Sequence, residues 1–210
     1  MTTEVRYEIL KGLPPYGPMY ISISGDEESF YSEGYVVKFK KSDEEEWVAN
    51  FRPGWTDYYN IFDFPEHNTV VVFAGGQGYI MDPDKQVPKL TFGLSIKDVI
   101  RMDDGSLICS DDIHILLLDN LTGEFWKSDR ISWGGIKDLE LVKNKLLGQS
   151  YNPTNPNQKW SDFELDLETK EIKGGSFTEF LDKNEHLEIQ ENGMLIEKTK
   201  SEKKPWWKLW

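Results

Sequence analysis

The sequence has a single cysteine, Cys109, and only three histidines in 210 residues. One cysteine excludes an internal disulfide, and three histidines leave little material for a histidine-based metal or catalytic centre. No apolar run approaches the roughly 18 residues of a membrane span, and the first residues turn charged where a signal peptide would be apolar. We therefore expect a cytoplasmic protein in which Cys109 is an inert core thiol.

Basic residues are also scarce. The sequence has 24 Lys and Arg against 37 Asp and Glu, which gives a net charge of −13. Nucleic-acid binding needs clustered basic side chains, so this balance argues against a nucleic-acid partner. It favours a basic protein partner instead. The acidic runs at residues 26–28 and 43–46 either steer such a partner or keep the surface solvated.

Short apolar runs rich in Val, Ile, Phe and Tyr recur along the whole chain, separated by Gly, Asp and Asn. Runs of this length predict strands, and the sequence indicates no long amphipathic helix. We predict five sets of strands: 19–23, 34–39 and 47–51; 60–64, 69–73, 79–81 and 89–92; 99–102, 106–109, 113–118 and 125–127; 139–142, 145–148, 160–167 and 171–173; and a partial set, 187–190 and 194–196.

The sets resemble one another. Ile96-Lys97-Asp98-Val99 is followed 40 residues later by Ile136-Lys137-Asp138-Leu139. An apolar run ending in aspartate closes three sets, at Asp82, Asp119 and Asp166. A period of about 40 residues with short strands is typical of a propeller blade or a related stacked-sheet array. We predict that these aspartates end the third strands of their units and accept backbone N–H bonds there.

The alternating strands and the Asp104-Gly105 turn resemble β-propeller repeats over roughly residues 19 to 196. The sequence carries no Gly-His or Trp-Asp pair, no sialidase-type Asp box and no double glycine repeated in register, so no binding residue is transferred from a particular propeller family. The resemblance implies an all-β, propeller-like array of four to five antiparallel units of about 40 residues. A curved open meander or a β-sandwich is the alternative.

The length suits one domain. We predict a single β domain over residues 1–196 and a basic, Trp-rich tail over residues 197–210. The partial fifth set suggests that an N-terminal strand at residues 5–10 pairs with it and closes the array. Such closure would remove exposed sheet edges.

The best candidate for a reactive cluster is the stretch 110–114, in which Asp112 and His114 project to the same face of a strand and are possible metal ligands. The alternative is a turn with two acids, followed by a hydrogen-bonded histidine. No Gly-rich phosphate loop follows a strand and opens a helix. We therefore assign no catalytic residue, no metal and no cofactor. A carbohydrate-acting hydrolase with paired carboxylates remains the alternative function.

Residues 51–59 have the composition of a binding surface, because they include Arg52, Trp55, Tyr58 and Tyr59. Arg, Trp and Tyr dominate the energetic hot spots of protein interfaces. The same rings are also suited to filling gaps between sheets. We predict that these four residues contact a partner, with core packing as the alternative.

The tail is the second candidate, because it combines five Lys and two Glu with Trp206, Trp207 and Trp210. It either docks on the acidic body of the chain, recognises a partner, or makes weak contact with a membrane surface. Composition and acidity together predict a non-catalytic protein-interaction module. The most specific version of this prediction, made by analogy, is an acidic bacterial immunity or inhibitor protein that binds a basic partner.

Overall fold

A computed structural model describes residues 5–16, 19–25, 30, 32–119, 124–190 and 194–198 of the chain. These residues belong to two compact units. The first comprises the described residues up to 129 together with 134–136, and the second comprises 130–133 and the described residues from 137 onwards. Almost all of the Trp-rich tail, including Trp206, Trp207 and Trp210, lies outside the described residues.

The first unit contains three four-stranded sheets. Sheet 1 has the strand order β1-β3-β4-β2 and consists of β1 (Tyr7–Ile9), β2 (Ile21–Ile23), β3 (Tyr35–Lys40) and β4 (Glu46–Phe51). Sheet 2 is a meander of β5 (Asn60–Phe64), β6 (Thr69–Ala74), β7 (Gln77–Met81) and β8 (Pro88–Phe92). Sheet 3 is a meander of β9 (Asp98–Arg101), β10 (Leu107–Ser110), β11 (Ile115–Leu118) and β12 (Phe125–Lys127). Every described pair is antiparallel except β2 with β4, which is parallel.

Sheet 2 is buried on both faces, and β6 shows why its sequence is continuously apolar. Val70 and Val72 pack into a first core with sheet 1, whereas Val71 and Phe73 pack into a second core with sheet 3. Successive side chains of a strand point to opposite faces. A strand between two cores therefore needs apolar residues at every position, while a half-exposed strand alternates.

Cys109 lies in the second core beside Leu107 and Leu116 and is fully buried. Burial raises the pKa of the Cys109 thiol, and the nearby charge of Asp98 adds to this effect. A neutral, inaccessible thiol is a poor nucleophile. The prediction that Cys109 is a core residue is confirmed, and its inertness stays a prediction.

The second unit contains one helix, a hairpin and, apart from its first residue Ile136, a four-stranded meander. The meander, sheet 4, consists of β13 (Ile136–Val142), β14 (Lys145–Tyr151), β15 (Trp160–Asp166) and β16 (Ile172–Gly174). The helix is α1 (Ser176–Lys183), and the hairpin pairs β17 (Leu187–Ile189) with β18 (Leu195–Glu197). The ring of Trp133 packs edge-on against Phe177 and Phe180 of α1, with centroid distances of 4.7 and 5.0 Å.

The predicted fold class is confirmed, since the secondary structure of the described residues is almost all β and includes four-stranded sheets that are antiparallel apart from the β2–β4 pair. The prediction that the N-terminal strand pairs with the partial fifth set is wrong, because β1 pairs with β3 in sheet 1. Glu8 of β1 lies 2.8 Å from the ammonium of Lys38 on β3, and Arg6 lies 2.5 Å from Asp63 of sheet 2. The connection from β1 to β3 is much shorter than the connection from β1 to β17, so closing it costs less chain entropy.

The three recurring aspartates lie where the third strand of each meander ends. Asp82 follows β7, Asp119 follows β11, and Asp166 is the last residue of β15. The Asp166 carboxylate accepts the backbone N–H groups of Thr169 and Glu168 at 2.9 and 3.0 Å, and these bonds lower its pKa. These contacts fix a turn, which is the structural role predicted for the position.

Candidate binding surface around Trp55

The segment 52–59 connects sheet 1 to sheet 2, and its backbone is hydrogen-bonded to three neighbouring parts of the chain. These parts are the end of β2, the turn between β6 and β7, and the loop between β8 and β9. The bonds are Arg52 N to Ile23 O, Gly54 N to Ala74 O, Trp55 N to Leu94 O and Thr56 N to Gly75 O, all at 2.9 Å, and Gly76 N to Tyr58 O at 3.0 Å. The backbone of the segment is therefore hydrogen-bonded to three other parts of the chain, although it has no regular secondary structure.

Two glycines allow this close approach. A Cβ atom at Gly54 would lie 2.7 Å from the carbonyl oxygen of Gly75 and would also overlap that of Leu94. A Cβ atom at Gly76 would lie 2.6 Å from the carbonyl oxygen of Ile96, and the φ angle of Gly76 is 82°. Only glycine fits both the space and the left-handed backbone at Gly76.

The four predicted binding residues of this segment differ in exposure. Trp55 is 80% exposed and Tyr59 is 46% exposed, and the side chain of Arg52 is also exposed. Tyr58 is partly buried and packs edge-on against Phe73 at 5.6 Å, and burial raises its pKa. We call the exposed side chains Arg52, Trp55 and Tyr59 the Trp55 surface.

Two depressions adjoin Trp55. One, of about 440 Å³, is lined by Arg52, Pro53 and Leu94 among others. The other, of about 500 Å³, is lined by Trp55, Thr56, Asp57, Tyr58 and Lys97, and we call it the Asp57 depression. The sequence did not indicate Lys97 as part of this surface, since it comes from the distant β8–β9 loop and has no local signal beyond its recurring motif.

A groove runs from the first depression along the edges of sheets 1 and 2. It is lined by residues 21–25 and 86–91 and has a volume of about 590 Å³. Gly25 and Thr91 line both the groove and the first depression, so the two are continuous. The exposed Trp55 therefore lies at one end of an extended concave surface.

His114 has a structural partner. Its Nδ1 atom lies 3.2 Å from Oδ2 of Asp111, whose other oxygen accepts the backbone N–H groups of Ile113 and His114 at 2.7 and 2.6 Å. Asp112 instead lies 2.6 Å from the ammonium of Lys97. The interpretation of a hydrogen-bonded histidine after a turn is confirmed. Across the described residues, no three His, Cys, Asp or Glu side chains cluster closely enough to hold a metal ion.

Carboxylates also line a depression of about 560 Å³ on sheet 4, namely Asp138, Asp162 and Glu164. Each of them has a donor beside it. Asp138 lies 3.0 Å from Lys137, Asp162 accepts a 3.0 Å bond from Gln149, and Glu164 lies 2.6 Å from Lys145. These ion pairs and hydrogen bonds are the ordinary cross-strand and neighbour contacts of a sheet surface.

No family model and no curated protein matches this sequence. Among solved structures, the chain is similar to the N-terminal domain of Nup159, with 18% identity, coverage of 58% of this chain and 34% of that chain, and a TM-score of 0.38. It is also similar to the extracellular domain of the putative one component system BT4673 from B. thetaiotaomicron, with 12% identity, 74% and 25% coverage, and a TM-score of 0.41. The computationally designed Ika8 protein gives 15% identity, 70% and 48% coverage, and a TM-score of 0.36.

These three likenesses identify no family, because every identity is at most 18% and every TM-score at most 0.41. The chain spans between a quarter and about half of the length of the proteins it matches. Among the residues that the structure describes, no helix is long and apolar enough to cross a membrane. The functional argument therefore rests on the geometry of the Trp55 surface.

Proposed function

We propose that this protein is a non-catalytic protein-interaction module that binds a basic partner through the Trp55 surface. The observation that carries the proposal is the 80% exposure of Trp55 on a segment whose backbone is hydrogen-bonded on three sides. An exposed indole on a rigid support gives a large contact area at little cost in conformational entropy. Arg52 and Tyr59 supply the other two residue types that dominate interface hot spots.

The net charge of −13 supports a basic partner. Opposite charges steer the encounter of two proteins and raise the association rate more than they raise the affinity. An acidic immunity or inhibitor protein acting on a basic bacterial target is the sharpest form of this proposal. In that form, the continuous groove between residues 21–25 and 86–91 provides further contact area beside Trp55.

The tail residues Trp206, Trp207 and Trp210 form a second, separate part of the proposal. Their indoles and the lysines beside them are suited to contact either the acidic body of the chain or the partner. The Trp55 surface and the tail are tested separately, since removal of one leaves the other intact.

The test of the proposal is capture of the partner with the full chain and two variants. Trp55→Ala removes the central indole, and Tyr16→Ala is the matched control because Tyr16 is 91% exposed outside the Trp55 surface. Extract of the organism that encodes the chain is passed over each immobilised protein, and the retained protein is identified by mass spectrometry and purified. We expect retention by the wild type and by Tyr16→Ala, and loss of it with Trp55→Ala. Equal retention by all three proteins contradicts the proposal.

A further inference from the structure

The Asp57 depression combines an aromatic face with a carboxylate. Trp55 and Asp57 both line it, with Thr56 between them in the chain. Within the part of the chain that the structure describes, the Asp57 carboxylate has no hydrogen bond or ion pair, and the Trp55 indole contacts no other ring. An exposed carboxylate and an exposed aromatic face on one concavity are suited to a ligand that is both cationic and flat or slender.

The backbone between these two side chains is fixed. The Thr56 hydroxyl donates a 2.6 Å hydrogen bond to the carbonyl oxygen of Ile96, and the Thr56 N–H donates to Gly75 O at 2.9 Å. The same hydroxyl accepts the N–H of Tyr58 at 3.3 Å. The backbone that carries Trp55 and Asp57 is therefore set before any ligand binds, which lowers the entropic cost of binding.

The charges around the Asp57 depression favour a cation. The ammonium of Lys97 is already paired with Asp112 at 2.6 Å, which leaves the carboxylate of Asp57 uncompensated. Asp98 adds negative charge close to the Tyr58 hydroxyl. Arg52 lines the other depression beside Trp55. A positive group is therefore favoured in the Asp57 depression.

We infer that the Asp57 depression receives a lysine or arginine side chain of the partner, with its cation against the indole of Trp55 and its charge facing Asp57. This inference rests on the proposed function only in taking the partner to be a protein. It assigns a direction to the bound partner, since the basic group enters beside Asp57 and the rest of the partner extends along the groove past Arg52.

The test uses the full chain and short capped peptides as probes. The backbone amide signals of Thr56, Asp57 and Tyr58 are followed by NMR while acetyl-Gly-Lys-Gly-amide or acetyl-Gly-Arg-Gly-amide is added. The neutral peptide acetyl-Gly-Gln-Gly-amide is the matched probe. We expect saturable shifts with the two cationic peptides that weaken as salt is raised, and no saturable shift with the neutral peptide.

Three variants separate the two contributions to binding. Asp57→Asn should raise the dissociation constant of the arginine peptide about two- to fivefold, and Trp55→Leu should do the same by removing the aromatic face. Asp103→Asn is the charge-matched control, because Asp103 is exposed on the β9–β10 turn and does not line this depression. It should bind as the wild type does. Because the three substituted positions are exposed, we expect the other amide signals to keep their chemical shifts, which shows that each variant is folded.

An equal response to the neutral and cationic peptides would overturn the inference, and so would an unchanged affinity in Asp57→Asn. Neither result would contradict the proposed function. That proposal is tested by whether the immobilised Trp55→Ala variant retains the partner. Loss of the partner with Trp55→Ala but not with Asp57→Asn would leave a binding surface around Trp55 that has no cation site.

Discussion

The hydroxyl group of Tyr79 donates a 2.7 Å hydrogen bond to the carbonyl oxygen of Arg52. Tyr79 belongs to β7, is only 1% exposed, and packs against Phe51 in the core between sheets 1 and 2. A core side chain thus holds the first residue of the segment that presents Trp55. The rigidity of the exposed surface is a consequence of core packing and not of the loop sequence alone.

Removal of this hydroxyl should loosen the Trp55 surface. Tyr79→Phe keeps the ring in the core and deletes the donor, so we expect a loss of about 1 kcal/mol in the free energy of unfolding. Hydrogen exchange at the amides of residues 52–56 should accelerate more than exchange in β10, which belongs to sheet 3. Urea denaturation and exchange mass spectrometry measure the two effects. Uniform acceleration across the first unit would show that the bond has no local role.

The turn between β6 and β7 should not tolerate a side chain at Gly76. Gly76→Ala places a Cβ atom 2.6 Å from the Ile96 carbonyl oxygen and strains a φ angle of 82°, so we expect destabilisation of more than about 1 kcal/mol. Gly134→Ala is the control, because a Cβ atom there meets no atom within 4 Å. Thermal unfolding of the two variants makes the comparison. An equal loss in both would refute the close-approach argument.

Acid should weaken the turn that holds His114. Burial alone would raise the pKa of Asp111, but hydrogen bonds from the His114 ring and from the backbone N–H groups of Ile113 and His114 outweigh burial and lower it. A carboxyl whose folded pKa is depressed stabilises the fold above its unfolded pKa of about 3.9 and loses this contribution as the pH falls through the folded value.

Asp111→Asn should therefore lower stability at pH 7 by about 1–3 kcal/mol. It should also flatten the dependence of stability on pH below about pH 4. Asp103→Asn, which removes an exposed carboxylate, should leave both unchanged. Urea denaturation between pH 7 and pH 2 gives the curves. If the stability of the variant falls with decreasing pH as that of the wild type does, Asp111 does not contribute to the acid sensitivity.

Deletion of residues 205–210 tests the predicted docking of the tail. The tail is basic and the rest of the chain is acidic, so we expect the truncated protein to have a lower melting temperature or a lower solubility. Tryptophan fluorescence with and without anionic vesicles separates the alternatives. An unchanged melting temperature together with a vesicle-induced blue shift of the intact chain would favour membrane contact over docking.

The strand pattern could be predicted from the sequence because each strand carries a local signal. The run Thr69-Val70-Val71-Val72-Phe73 predicts most of β6, and Asp103-Asp104-Gly105 predicts the turn between β9 and β10. The partner of β1 could not be predicted, because three partly exposed residues carry no pairing preference. The helix α1, at eight residues, is too short for its periodicity to stand out.

The binding surface could be predicted only in part. Composition indicated Arg52, Trp55, Tyr58 and Tyr59, yet it did not separate the exposed Trp55 from Tyr58, which packs on Phe73. That difference depends on how the β6–β7 turn meets the segment. A long-range contact of this kind leaves no local mark in a single sequence.

The affinity of the purified partner for three forms of the full chain tests the central claim most directly. Isothermal titration calorimetry compares the wild type, Trp55→Ala and the exposed control Tyr16→Ala. We predict that Trp55→Ala raises the dissociation constant about tenfold or more, as expected for a hot-spot residue, while Tyr16→Ala leaves it unchanged. A Trp55→Ala variant that binds the partner as tightly as the wild type would contradict the account.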